Sequence, residues 1–194
     1  VQSELPKSKI IYLSGITLAI LHPNSRKLLI DKLRLLSETG QSLIAFDSNY
    51  RPELWESPNA ARTCLSEMWN ITDIALPSMD DEILLFNSSN IDTVINRFKE
   101  KKWRACVIKC GANGPVSPFI EPQNHPKFKS VEYVVDTTAA GDSFNGAFLA
   151  AYLQGQSEIE CMSSGYKLAS RVVSSPGAII SPYNKISTFL TKTY

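Results

Sequence analysis

Asp136 and Asp142 bracket a run of small residues, Thr137, Thr138, Ala139, Ala140 and Gly141, in the stretch DTTAAGDSFNGAF. After Asp142, the apolar residues Phe144, Ala147, Phe148, Ala151 and Tyr152 recur at i, i+3, i+4, i+7 and i+8, the stripe of a buried amphipathic helix. The spacing predicts a helix with Asp142 in its first turn. Such a turn offers unpaired backbone N–H groups and the positive end of the helix dipole. Ala and Gly there let a bulky anion approach, so the amides of Ala139, Ala140, Gly141 and Asp142 would form a phosphate or oxyanion cradle. A carboxylate at its edge repels a resting phosphate but can accept a hydroxyl proton as that oxygen attacks one. The plainer reading is that Asp142 only stabilises its own helix, by about 0.3–1 kcal/mol.

The elements that must position this stretch alternate. Residues 9–14, 42–47, 73–77 and 105–109 are short apolar runs, and helical periods lie between them, which predicts βαβ units and a mainly parallel sheet. In 24–37, Leu29, Leu33 and Leu36 share a face that Leu28 and Leu35 widen, and Gly40 supplies a stop. Ser57 and Pro58 suit the cap and first position of a helix whose Ala61, Cys64, Leu65 and Met68 face the core. Ile91, Val94, Ile95 and Phe98 form another stripe. Gly and Pro between 111 and 120 predict a turn and an irregular hairpin. Ser157 and Glu160 form a capping box for a helix running to about Val173, ended by Pro176 and Gly177.

The 194 residues are 43% hydrophobic, enough for one core, and 20 basic against 19 acidic side chains leave a net charge of +1. Nucleic acid is therefore a poor candidate partner. Four cysteines without a C-x-x-C pair, with His22 and His125 alone beside them, give zinc little to bind and read as reduced, mostly buried thiols. No apolar run reaches the length of a membrane span and no leader opens the chain, so a cytoplasmic location is expected. The chain opens on Val1 rather than Met, which suggests a processed or truncated piece.

DTTAAGDSFNGAF closely resembles the DTxGAGD signature of the ribokinase-like sugar kinases, with Ala139 in place of the usual Gly. YLSGITLAI (12–20), FDSNYRPELW (46–55), KCGANG (109–114) and SPGAIISP (175–182) resemble further landmarks in the family's order, so the likeness covers nearly the whole chain. It implies a three-layer α/β/α fold with a mainly parallel central sheet, and a kinase that uses ATP and Mg2+ to phosphorylate a sugar hydroxyl. SGITLAI and FDSNYRPELW are most similar to members acting on the sugar acid 2-keto-3-deoxygluconate. Relatives begin with a strand, a glycine-rich substrate segment and a small β lid that nothing here resembles. Residues 1–194 are thus expected to form a single incomplete kinase domain. An exposed sheet edge would then favour self-association into a homo-oligomer.

By this resemblance Asp142 is the catalytic base, with Ala139, Ala140 and Gly141 completing the anion hole. Ile16 and Arg51 join Asp142 in contacting substrate. Pro52 biases Arg51 toward an extended backbone at a strand's carboxyl end, where open α/β sheets bind ligands, and its guanidinium could grip a carboxylate in bidentate fashion. The alternative is a surface Arg paired with Glu53 or Asp47. Fructokinases carry a similar D-x-N-x-R stretch, so a neutral sugar remains an alternative substrate, and a nucleotide-binding fragment without turnover is a further one. Lys109, Gly111, Ala112 and Gly114 resemble a K-x-G-x-x-G turn lying against ATP, and an ordinary hairpin turn is the other reading. Ser78 and Asp81 stand where the family carries N-x-x-E, linked to Mg2+ and phosphate, with both residues changed; they also suit a helix cap. The family pattern further places a monovalent cation such as K+ near Asp136, Thr138 and the 173–178 carbonyls, and Tyr166 in the adenine pocket.

Overall fold

The computed structural model describes residues 8–88 and 90–180, so the last two residues of the 175–182 landmark lie outside the described residues. The chain divides into two compact units, residues 1–128 and 129–194. In the first unit the elements are β1 (Ile10–Ser14), α1 (Gly15–Ala19), α2 (Pro23–Glu38), β2 (Leu43–Asp47), α3 (Pro58–Ile71), β3 (Ile74–Ala75), α4 (Met79–Phe86), α5 (Ile91–Lys99), β4 (Ala105–Cys106), β5 (Ile108–Lys109) and β6 (Pro115–Val116). The second unit holds α6 (Ala140–Leu153) and α7 (Glu158–Val173).

β1 to β4 form a parallel sheet in sequence order, with Ile10 opposite Leu43, Ala45 opposite Ile74 and Ile74 opposite Ala105. Alternate strand residues Leu13, Ile44, Phe46, Ala75 and Cys106 join a core with Leu33, Leu65, Met68, Trp69 and Phe98. Ala45, Ile74 and Ala105, on the other face, are buried too, as befits a parallel sheet. The runs predicted at 73–77 and 105–109 are shorter as regular strands. Still, the Val107 amide donates to the Ala75 carbonyl at 2.9 Å and that of Lys109 to Pro77 at 2.8 Å, so the pairing runs on past β3. β5 and β6 form the expected hairpin around a 3₁₀ turn, Gly111–Asn113.

The helix ends follow the sequence. Ser57 accepts from the Ala60 amide. After α2, the amides of Gly40 and Gln41 donate to Ser37 and Leu36, and Gly40 takes the left-handed backbone (φ 67°) that this closure needs. The expected face of α2 is corrected: Leu28 and Leu35 are 61% and 50% exposed, and Arg26 and Ile30 turn inward instead. Arg26 is accommodated because its guanidinium donates to the carbonyls of Leu18 (2.8 Å) and Leu21 (3.2 Å) at the end of α1, pairs with Glu56 at 3.0 Å and lies over Trp55. Its contacts tie the chain after β2 to α1 and α2. Gly15 makes the closest approach: a Cβ there would meet the Ser48 carbonyl oxygen at 2.0 Å.

In the second unit the Ser157–Glu160 capping box starts α7 as predicted. α7 packs on α6 through Gly165, where a Cβ would lie 2.8 Å from the Phe144 ring. Among the described residues no helix is long and apolar enough to cross a membrane. Gly165→Ala should therefore lower stability by about 1–3 kcal/mol. Gly146→Ala, on the open side of α6 with nothing within 4 Å, should raise it by about 0.5–1 kcal/mol. Urea denaturation of the two variants checks this, and a neutral Gly165→Ala would refute the close-packing account.

Candidate active site

The sequence-predicted residues of the first unit gather where its parallel strands end. Half-buried Ile16 follows β1, Arg51 follows β2, Ser78 and Asp81 follow β3, and Lys109 closes β5 before the turn carrying Gly111, Ala112 and Gly114. The two glycines take positive φ, 55° and 80°. A Cβ at Gly114 would strike Phe128, whereas Gly111 faces open space.

Charge at this edge is neutralised by specific pairs. Lys109 Nζ lies 2.5 Å from Asp47 Oδ2; the Asp47 side chain is buried and that of Lys109 nearly so, at 13% exposure, so removing Lys109 would strand the buried carboxylate at a cost of about 3–5 kcal/mol. Arg51 pairs with neither Glu53 nor Asp47: its Nη1 donates to its neighbour's carbonyl, Tyr50, at 2.9 Å and lies 3.6 Å from Asp81 Oδ1. Asp81 Oδ2 accepts the Tyr50 amide at 3.2 Å. Ser78 does occupy the cap position of α4, but its side chain makes no cap hydrogen bond; its amide donates to Ser48 Oγ at 3.0 Å and Asp81 is drawn to the β2 loop. The plain-cap reading is thereby corrected.

The sequence does not single out Glu82, yet it is wholly buried, with Oε2 against the Arg97 guanidinium and Oε1 without a partner among the described residues. The available signal was its place at i+3 from Met79 and i−3 from Leu85, on the buried stripe of α4. Asn49, in the loop after β2, holds a positive φ of 28° and buries a side-chain oxygen without a partner among the described residues. Burial raises Asp81 to about 6, opposed by the Tyr50 amide and aided by the Asp47 charge. Burial likewise lifts Glu82 to about 7 against the pull of Arg97.

In the second unit Ala139 caps α6 in the left-handed region (φ 60°, ψ 14°), a conformation costing a non-glycine residue about 1–2 kcal/mol. The turn keeps this backbone with Ala in place of Gly. The Ala140 amide is used, donating to Thr137 at 3.2 Å, and Ser143 donates to the Ala139 carbonyl at 2.9 Å. Among the described residues the amides of Ala139, Gly141 and Asp142 have no acceptor. Asp142 is the third residue of α6 and its side chain is exposed.

Asp136 accepts from the Thr138 amide at 2.8 Å and from the Gly177 amide at 3.1 Å. The Thr138 side chain first, and then these two amides, hold its carboxyl below the usual range. Val135 and Asp136 both donate to the Val173 carbonyl, so the two segments read as a cation cradle do lie side by side. The Tyr166 hydroxyl donates to the Lys129 carbonyl at 2.7 Å. Among the described residues no three His, Cys, Asp or Glu are grouped to hold a metal ion.

A parallel sheet with its charged side chains collected beyond the strand ends places the chain in the open α/β class, whose ligand sites lie at that edge. Residues 1–185 match the pfkB family carbohydrate kinases, and the chain belongs to that family. It is 38% identical over 180 residues to 2-dehydro-3-deoxygluconokinase of Haemophilus influenzae, covering 92% of this chain and 57% of that protein. The enzyme of the same name from Dickeya dadantii is 39% identical over 187 residues, 93% of this chain and 59% of that protein. The chain thus spans a little under three-fifths of these relatives. Among solved structures it is similar to a Vibrio cholerae fructokinase variant with bound fructose, ADP and potassium ion, at a TM-score of 0.77 and 20% identity over 90% of this chain and 57% of that one. A Thermotoga maritima 2-dehydro-3-deoxygluconokinase gives 0.68 and 20% over 89% and 57%. These likenesses establish a ribokinase-like α/β fold.

Asp81 and Glu82 bind protons more tightly folded than unfolded, so their ionisation costs stability. Their contribution is intact below the ordinary carboxyl values of 3.8 and 4.5 and is lost as pH rises through about 6 and about 7. Each group adds a slope of at most about 1.4 kcal/mol per pH unit. Unfolding free energy measured from pH 5 to 7.5 should fall with pH, and Glu82→Gln should flatten the fall. An unchanged slope in that variant would contradict the assignment.

Proposed function

We propose that this chain supplies the catalytic-base and nucleotide-binding part of a sugar-acid kinase that transfers the γ-phosphoryl group of Mg-ATP to the terminal hydroxyl of 2-keto-3-deoxygluconate (2-dehydro-3-deoxygluconate). The observation that carries the reading is the exposed Asp142 beside the unbonded Gly141 and Asp142 amides of α6, within a family of carbohydrate kinases. In this reading Asp142 takes the hydroxyl proton as the oxygen attacks phosphorus and the bond to ADP breaks. The Ala139, Gly141 and Asp142 amides stabilise charge on the equatorial oxygens. Ala140 belongs to the same turn and helps through its small side chain rather than its occupied amide.

Arg51 binds the acid's carboxylate and Ile16 lines the substrate. The Gly111–Gly114 turn, with Ala112, Ser78 and the Lys109 backbone, contacts nucleotide, and Tyr166 flanks its base. Mg2+ arrives with ATP, which suits a metal that binds one or two carboxylates and several phosphate oxygens and waters rather than a protein cage. Asp136, Thr138 and the 173–178 carbonyls would hold a monovalent cation such as K+ near the start of α6. A cytoplasmic location and self-association through an open sheet edge belong to the same reading.

Asp142→Asn should lower turnover by about 10²- to 10⁴-fold with ATP binding retained, measured by coupled ADP release. Full turnover in that variant would contradict the assigned role. Arg51→Ala should raise KM for the sugar acid by about ten- to a hundredfold and leave neutral sugars unaffected; equal losses on fructose would favour a fructokinase. Because the chain covers 57% and 59% of two relatives, calorimetry with an ATP analogue is the matching test of a nucleotide-binding piece without turnover, which would bind nucleotide and transfer nothing.

A further inference from the structure

We infer that Asp81 is a positioning residue for Arg51, fixing the guanidinium that reads the substrate carboxylate, and that it does not serve as a metal ligand. The inference rests on the kinase reading above. Both Asp81 oxygens face the loop after β2: Oδ2 accepts the Tyr50 amide at 3.2 Å and Oδ1 lies 3.6 Å from Arg51 Nη1. The same Nη1 donates to the Tyr50 carbonyl at 2.9 Å. One carboxylate therefore closes a ring through backbone and side chain of two consecutive residues.

The ring uses only one edge of the guanidinium. Among the described residues Nε and Nη2 of Arg51 have no partner, and these two nitrogens form the side-on fork that a carboxylate binds in bidentate fashion. The Arg51 side chain is 52% exposed and that of Asp81 15%, so the anchor sits inside and the fork outside. A free arginine of this exposure would sample many rotamers, and tethering Nη1 removes that freedom before substrate arrives. A metal at Asp81 would have to share a carboxylate already turned to the Tyr50 amide and the guanidinium, and among the described residues no second and third acid, His or Cys stands by to complete a site.

The test compares Asp81→Asn and Asp81→Ala with the wild type. In the chain itself, Asp81→Ala should speed amide exchange at Tyr50 about tenfold while leaving the core amide of Ala45 unchanged. In the phosphoryl-transfer assay, Asp81→Asn should raise KM for 2-keto-3-deoxygluconate about tenfold, with kcat, neutral-sugar kinetics and the half-saturating Mg2+ concentration unchanged. An Mg2+ requirement that rises while KM for the acid stays constant would overturn the inference. Unmoved Tyr50 exchange in an active enzyme would sink it alone, whereas a wild type that phosphorylates no sugar acid sinks the kinase reading instead.

Discussion

The two amide hydrogen bonds accepted by Asp136 fix where α6 begins. They tie Thr138 ahead of the helix to Gly177 beyond α7, and the pairing of Val135 and Asp136 with the Val173 carbonyl locks the same junction. The chain then reverses through a left-handed Ala139, so α6 starts abruptly, and among the described residues the Gly141 and Asp142 amides of its first turn are left without acceptors. A helix end in that state carries partial positive charge and open donors. Gly165 lets α7 press against Phe144, which holds α6 from the other side.

The first unit solves a different problem, that of keeping charged groups at the end of a buried parallel sheet. Three carboxylates lie there, each with its own partner: Asp47 with Lys109, Asp81 with Tyr50 and Arg51, and Glu82 with Arg97. A buried pair gains little net stability over an apolar pair but is costly to break, so such pairing specifies geometry more than it adds stability. The consequence is a stiff floor under an exposed arginine. Lys109 belongs to this floor through its ammonium, and its backbone opens the glycine turn that follows.

Much of the fold was legible because helix periods, caps and stops agreed with one another. Ser57, the Ser157–Glu160 box and Gly40 all act as their types and positions require, and the small-residue run before Asp142 does begin a helix. What escaped the sequence depended on distant partners. Period alone points Leu28 and Leu35 inward, while Arg26 takes the inner face because α1's carbonyls and Trp55 satisfy its guanidinium. Ser78 and Asp81 have the types of a cap, yet Ser48 and Tyr50, 30 and 31 residues away in sequence, claim them. The polar residue buried in α4 was visible in its spacing, whereas its pairing with Arg97 was not.

The central claim is that the first turn of α6 receives the transferring phosphoryl group while Asp142 receives the proton. It is tested most directly by a crystal structure of the protein with ADP, an aluminium fluoride mimic of the phosphoryl group and 2-keto-3-deoxygluconate. The account predicts fluorides hydrogen-bonded to the Gly141 and Asp142 amides, with the terminal hydroxyl of the sugar acid donating to the Asp142 carboxylate. A mimic bound away from α6, or a hydroxyl directed to another base, would contradict it.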